Sequence, residues 1–231
     1  MLFSALSLLT SAAAVSATAL PSSFSSSSSS AAAAPAKRAS GSISVTPHDK
    51  FASSLGVLGC KINTNRVAYW PEARGCDDLC VKVSANGRSV NLLVIDHSGG
   101  AHDISYDAWN YLVTGRSATD DPTQGGGIPA TWEDVPMSEC ADLITEPTGR
   151  LAFSAPTGMN TVGSCLGNAW FAENYVLYNI YTSQCTFGYD EVCTLEGNLP
   201  QCGHTLGETA VLTTQPVYNI DYGTGKLSLA A

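Results

Sequence analysis

The stretch NGRSVNLLVIDHSGGAHDISYDAWNYLVTG, residues 86–115, decides the fold. It opens with the turn pair Asn86-Gly87, and the branched apolar run at 89–95 is typical of a β-strand. That strand ends at Asp96, and the short glycine loop HSGGAH leads to a second carboxylate, Asp103. The apolar period then changes to that of a helix. The sequence therefore places two carboxylates on either side of a tight loop between a strand and a short helix.

The helix after this loop has recognisable ends. Five apolar residues share its predicted inner face: Ile104, Ala108, Trp109, Leu112 and Val113. Ser105 is the expected N-cap, and Asp107 falls in the first turn, where the helix dipole favours an anion. Gly115 stands where helices often end on glycine. We therefore predict a short helix after Asp103, with Trp109 in the core.

These residues resemble a known superfamily. The rare-lipoprotein-A pattern of the barwin, expansin and rare-lipoprotein-A superfamily is similar to three segments here: NGRSV at 86–90, Asp96 and DISYDAWNYL at 103–112. In addition, HDIS at 102–105 is similar to the HFD motif of expansins and family 45 endoglucanases. The resemblance implies a mainly β protein with a six-stranded double-psi β-barrel, which we assign to residues 57–140. Barrels of this kind host both enzymes and binding modules, so the resemblance indicates fold more than activity.

The N-terminal segments are typical of a secreted precursor. Residues 1–19 carry an apolar run followed by Ala17-Thr18-Ala19, a signal-peptide pattern. Residues 20–38 form a Ser/Ala-rich propeptide that cannot bury a core. It ends in Lys37-Arg38, which resembles the site cut by the kexin-type processing proteases of fungi. We expect an extracellular mature chain beginning at Ala39, with no membrane association after processing.

Eight cysteines lie in the predicted mature chain: Cys60, Cys76, Cys80, Cys140, Cys165, Cys185, Cys193 and Cys202. An even count in a secreted chain indicates a disulfide framework rather than a metal site. Four fall in the barrel half and four in residues 141–231, so we predict pairing within each half. Alternating residues at 175–181 and 216–222 predict strands in a β-rich, disulfide-stapled C-terminal region, either a separate domain or a layer on the barrel.

The net charge of the chain limits the classes of partner that it is expected to bind. The formal net charge is −9, which disfavours nucleic acid and anionic membranes as partners. A neutral polysaccharide or a basic protein is compatible with this charge. No spacing of histidines and acidic residues matches a metal-site template, so we predict neither a metal nor another cofactor.

The two loop carboxylates are the candidate catalytic residues. By resemblance, Asp103 occupies the position of the acid in family 45 endoglucanases and expansins, and Asp96 that of a catalytic aspartate in rare lipoprotein A. Paired carboxylates can divide acid and base work in glycoside cleavage. The alternative is structural, with both side chains bracing the loop. Glu72 follows Pro71 where family 45 enzymes have a Y-W-D base motif, so the partner of the acid is in doubt.

The candidate binding residues surround this loop. Tyr69, Trp70 and Trp132 would offer flat aromatic faces to sugar rings, and Asp96, His102 and Asp103 would line the same groove. The alternative for the aromatic residues is core packing. Because Tyr69-Trp70 precedes a proline, we predict an exposed strand end there.

We therefore predict a secreted, non-catalytic expansin- or barwin-like protein. It would bind cell-wall polysaccharide or a host apoplastic protein, with an effector or elicitor role by analogy. One alternative is an endoglucanase-like or lytic glycosidase, such as a lytic transglycosylase, with Asp103 as general acid. The other is a cysteine-stabilised structural or inhibitory module.

Overall fold

The computed structural model describes residues 38–231 of the chain. The predicted signal peptide, 1–19, and all but the last residue of the predicted propeptide, 20–38, lie outside the described residues. The first strand starts two residues after Arg38.

Six strands form a closed barrel. They are β1 (Ser40–His48), β2 (Val67–Trp70), β3 (Cys80–Ala85), β4 (Arg88–His97), β5 (His102–Ser105) and β6 (Ile128–Asp134). The order around the barrel is β1-β5-β2-β4-β3-β6. β1/β5 and β2/β4 are parallel pairs, and the other neighbours are antiparallel.

This strand order contains an internal symmetry. If β1, β2 and β3 are exchanged with β4, β5 and β6, respectively, the same pairs of strands remain neighbours around the barrel. The two halves are thus interlocked, and the predicted six-stranded double-psi barrel is confirmed. The predicted span of 57–140 omits β1, whose residues pair with both β5 and β6. Only Ile43 and Val45 carry the apolar alternation of this strand, too short a pattern to identify it beside the Ser/Ala tract.

The predicted turn and helix are present. Asn86 and Gly87 both have positive φ, 51° and 74°, as a two-residue hairpin turn of type I′ requires. Helix α1 spans Tyr106–Thr114 and ends at Gly115, whose φ is 84°. Trp109 is buried, as predicted. The N-cap prediction was wrong in one respect: the Ser105 hydroxyl makes no capping bond and donates instead to the Asn65 carbonyl oxygen at 2.7 Å.

The C-terminal region is β-rich, as predicted. Its elements are β7 (Leu151–Ser154), α2 (Met159–Cys165), α3 (Ala169–Asn174), β8 (Tyr175–Ile180), β9 (Gly188–Glu196), β10 (Leu199–Gln201), β11 (Tyr218–Ile220) and β12 (Leu227–Leu229). One sheet has the order β10-β9-β8-β7, and β11 pairs with β12. Short 3-10 turns occupy Gly59–Lys61, Thr64–Arg66 and Met137–Leu143.

Two hydrophobic clusters hold these elements together. One fills the barrel interior and includes Trp70 and Trp109. The other joins outward-facing barrel residues, such as Tyr69, to the C-terminal region, where Phe153 and Leu177 belong to the same cluster. The C-terminal region is therefore a layer on the barrel that shares a core with it. The described residues, 38–231, accordingly form one compact unit.

The disulfides differ from the prediction of pairing within each half. Cys80–Cys140 and Cys193–Cys202 do pair within their halves. Cys60–Cys185 and Cys76–Cys165 join the barrel to the C-terminal region, with Cα atoms 6.1 and 5.5 Å apart. The prediction was wrong for these two because the halves pack on each other rather than folding separately. All eight cysteines are paired, and none of the described cysteines is free.

Candidate functional site

The two candidate catalytic carboxylates lie in one row across the barrel wall. Tyr69 on β2 is paired with Asp103 on β5 and with Asp96 on β4, and Thr46 on β1 continues the row beside Asp103. A β-bulge at Ile95 brings Asp96 opposite Tyr69. Because paired residues share a face, both carboxylates flank the tyrosine, about two strand spacings or ~10 Å apart.

Tyr69, the central residue of this row, is buried. It is 5% exposed, and its hydroxyl donates to the Lys50 carbonyl oxygen at 3.1 Å. The centres of the Tyr69 and His48 rings are 4.3 Å apart. Burial raises the pKa of Tyr69 well above its ordinary value, and the charges of Asp96 and Asp103 add to this shift. The prediction that Tyr69 forms an exposed sugar platform was therefore wrong.

Asp103 and Asp96 each have a local partner. The Thr46 hydroxyl donates to the carboxylate of Asp103, and the backbone N–H of His97 donates to Asp96 at 2.7 Å. Since both side chains are only partly exposed, these bonds hold them against the barrel wall. Tyr69 stands between them, so the two carboxylates do not face each other across an open groove.

Two of the three predicted aromatic residues, Trp70 and Trp132, come together away from Tyr69. The Trp70 ring contacts the His102 ring edge-on at 4.7 Å and the Trp132 ring at 5.6 Å. Trp70 is fully buried, so the prediction that it stacks on a ligand was wrong: it belongs to the barrel core. Trp132 and His102 are half-buried and lie at the same end of the barrel. Trp70 thus forms the floor beneath two partly exposed rings.

Glu72 approaches this aromatic group and not Asp103. Its carboxylate oxygen lies 3.1 Å from His102 Nε2, and its side chain is 54% exposed. Successive residues of a strand point to opposite faces, so a carboxylate bound to His102 is turned away from Asp103. The acid and base pair that the endoglucanase-like alternative needs is not assembled from these two residues.

Arg74 is a site residue that sequence reasoning missed. Its guanidinium lies 5.6 Å from the centre of the Trp132 ring and forms an ion pair with Asp134 in which both side chains are buried. Arginine stacked on an aromatic face is a favourable arrangement. Neither residue belongs to a local motif, and the contact spans 60 positions of the chain, so no pattern in the sequence indicated it. We call the five residues Trp70, Glu72, Arg74, His102 and Trp132 the barrel-end cluster.

The barrel-end cluster offers aromatic surface, one exposed carboxylate and an imidazole. Within residues 38–231, no group of three or more His, Cys, Asp or Glu side chains is arranged to hold a metal ion. Over the same residues, no helix has the length and apolar character needed to cross a bilayer. The side chains of the cluster can supply hydrogen bonds and ring contacts to a ligand.

Comparison with known proteins was made at the level of sequence and of fold. Neither a protein-family profile nor a curated protein matches the sequence. Among solved structures, the chain is similar to cerato-platanin 2 and cerato-platanin 3 from M. perniciosa, with 19% and 14% identity. Each alignment covers 43% of this chain and 98% of the other, with TM-scores of 0.31 and 0.32. A similarity at this level does not identify a function.

Proposed function

We propose that this protein is a secreted, non-catalytic binding module of the expansin and barwin type. Its ligand is a neutral cell-wall polysaccharide, held at the barrel-end cluster. The supporting observation is the placement of His102 between the buried Trp70 ring and the exposed Glu72 carboxylate, while the half-buried Trp132 contacts the same Trp70 ring.

The chemistry of the cluster suits a neutral sugar chain. The exposed carboxylate of Glu72 accepts hydrogen bonds from hydroxyl groups, and such charge-assisted bonds are stronger than neutral ones. Trp132 presents an aromatic surface to the apolar face of a sugar ring. The charge of Arg74 is neutralised by Asp134, so the cluster has no unpaired arginine to select an anionic ligand.

The geometry also supports binding without cleavage. A glycosidase places two carboxyl groups across one bond, about 5–10 Å apart in a shared groove. Here Glu72 is turned away from Asp103, and the covered Tyr69 separates Asp103 from Asp96. We assign Asp96 and Asp103 to the support of the barrel wall rather than to chemistry.

Secretion forms part of the same proposal. Four disulfides suit an oxidising compartment outside the cell. In that setting a cell-wall polysaccharide is an accessible ligand, and an effector or elicitor role would follow from such binding. A host apoplastic protein as the primary partner is the competing outcome of the experiment below.

Pull-down on insoluble cellulose, chitin and β-1,3-glucan, with an assay for released reducing ends, tests the proposal. We expect binding to at least one glucan without release. Trp132→Ala and Glu72→Gln should each weaken binding about tenfold, as for loss of one good contact. The matched controls are Trp170→Ala and Glu173→Gln on α3, which change the same residue types outside the cluster.

Three results would decide against the proposal. Release of reducing sugar would establish the enzyme alternative. Absence of glycan binding together with capture of an apoplastic protein would transfer the function to a protein partner. Equal loss of binding in the cluster variants and in their controls would remove the cluster as the site.

A further inference from the structure

Four hydroxyl side chains form a row on a different part of the barrel surface. Ser89 on β4 is paired with Ser84 on β3, Ser84 with Thr131 on β6, and Thr131 with Ser42 on β1. Paired residues of neighbouring strands point to the same side, at a spacing of about 4.8 Å per strand. The row therefore crosses four adjacent strands in register.

The four side chains of this row face outward, and their hydroxyl groups make no hydrogen bonds within the described part of the chain. The neighbouring residues Val83, Val90 and Ala130 point inward and are buried, whereas the four hydroxyl residues are exposed or half-exposed. In the part of the chain that the structure describes, none of the four hydroxyls has a side-chain hydrogen bond. Because these side chains are short, they leave a trough where the outer face of a barrel usually carries long charged residues.

The trough is a wide, open groove lined by cationic side chains. It has a volume of about 620 Å³, and Lys82 and Arg88 line it together with the hydroxyl row. None of the described residues that line it is acidic or aromatic. Such a surface is unusual in a chain with a net charge of −9. We call these six residues, Ser42, Lys82, Ser84, Arg88, Ser89 and Thr131, the hydroxyl groove.

One carboxylate lies beside the groove. Lys82 Nζ is 3.4 Å from Glu133 Oε1, and both side chains are about half exposed, at 41% and 55%. An exposed pair of this kind contributes little to stability, so a ligand carboxylate can replace Glu133 at the lysine. Arg88 donates to the carbonyl oxygens at the end of α1, where it holds the groove wall while keeping its positive charge.

We propose that the hydroxyl groove binds an acidic saccharide, a polymer of uronic acid units. The hydroxyl row and the sugar hydroxyls exchange hydrogen bonds, and the uronate carboxylate pairs with Lys82. The lack of an aromatic side chain distinguishes this surface from the barrel-end cluster, which we assign to a neutral glycan. The groove lies next to the Asn86-Gly87 turn on the outer face of the barrel wall. Trp132 of the cluster follows Thr131 on β6 but packs against the interior cluster, so the two sites use opposite faces of that strand.

Titration of the secreted protein with polygalacturonate oligomers, and with the same oligomers as methyl esters, tests this site. The esters keep the hydroxyls and lose the charge, so we expect them to bind at least about tenfold more weakly. Lys82→Gln should weaken binding of the acid by a similar factor, while Glu133→Gln should strengthen it by freeing Lys82. Lys226→Gln, at an exposed turn outside the groove, is the charge control and should leave affinity unchanged.

A second pair of variants tests the hydroxyls. Thr131→Val removes one hydroxyl of the row at constant shape and should weaken binding severalfold, whereas Thr194→Val on β9 should have no effect. Glu72→Gln, which changes a cluster residue that neighbours no groove residue, should leave uronate binding intact, so the barrel-end proposal and this one can fail separately. Equal affinity for acid and ester, no affinity for either, or equal effects of Lys82→Gln and Lys226→Gln would overturn the proposal.

Discussion

His102 and Asp103 are adjacent on β5, yet their side chains serve opposite faces of the barrel wall. His102 contacts the Trp70 ring and the Glu72 carboxylate at the end of the barrel. Asp103 accepts a hydrogen bond from Thr46 on the outer row. This alternation separates a residue of the barrel-end cluster from a residue of the outer row within two positions of the chain.

Substitution at these two positions should have different effects. Asp103→Asn keeps an acceptor for the Thr46 hydroxyl, so we expect glycan binding and the melting temperature to stay close to those of the wild type. His102→Ala removes a ring between Trp70 and Glu72 and should lower glycan affinity about tenfold. Pull-down and thermal unfolding measure both effects. A marked loss of binding in Asp103→Asn, with stability unchanged, would restore Asp103 to the site.

The disulfide between Cys60 and Cys185 should stabilise the fold more than that between Cys193 and Cys202. Their sequence separations are 125 and 9, and a longer closed loop restricts the unfolded chain more. The Cys76–Cys165 disulfide lies within the loop that Cys60–Cys185 closes. It shortens that loop in the unfolded chain and so reduces the expected difference. We therefore expect the Cys60→Ser/Cys185→Ser variant to lose about 1 kcal/mol more than Cys193→Ser/Cys202→Ser in urea unfolding. The reverse order would contradict the chain-entropy argument.

Glu191 should make stability depend on pH in the acid range. Its carboxylate accepts from the His204 backbone N–H at 2.8 Å and from Asn179 at 2.9 Å, and these bonds lower its pKa from 4.5 to about 2. A lowered pKa contributes stability that is present above pH 4.5 and is lost as the pH falls towards 2. Glu191→Gln should reduce this loss, as followed by unfolding at a series of pH values. Glu196→Gln is the control, and an identical effect of both variants would exclude the role of Glu191.

The hydroxyl of Tyr178 should contribute measurably to stability. It donates to the buried Glu146 carboxylate at 2.9 Å. Hydrogen bonds to charged groups are worth about 1.5–3 kcal/mol, so Tyr178→Phe should lower the free energy of unfolding by that amount. Tyr175→Phe on the same strand removes a hydroxyl that has no such partner among the described residues, and it should cost less than about 0.5 kcal/mol. Similar losses for the two variants would contradict this assignment.

Local patterns in the sequence predicted the centre of the fold. The Asn86-Gly87 turn, the strand that follows it and the helix ending at Gly115 depend on residues near in sequence. Backbone preferences and apolar period act over this range, so they can be read directly.

Contacts between segments that are distant in the sequence could not be predicted from local sequence patterns. The pair Tyr69-Trp70 is predicted at an exposed strand end because Pro71 follows it, but all four residues of β2 are buried. β2 lies between β4 and β5 in a closed barrel, with a core on each side. Closure of the barrel buries Ala68 and Trp70, and packing of the C-terminal region buries Val67 and Tyr69. The same packing brings Cys76 to Cys165.

The three long-range disulfides affect what happens when a protease cuts the chain. Cys60, Cys76 and Cys80 all precede residue 81, and their partners all follow residue 139. A protease that cuts the chain once anywhere from 81 to 139, including the loop between α1 and β6, leaves two pieces joined at three points. Such a nicked molecule would migrate as one species until it is reduced, and both fragments would remain held to the shared core.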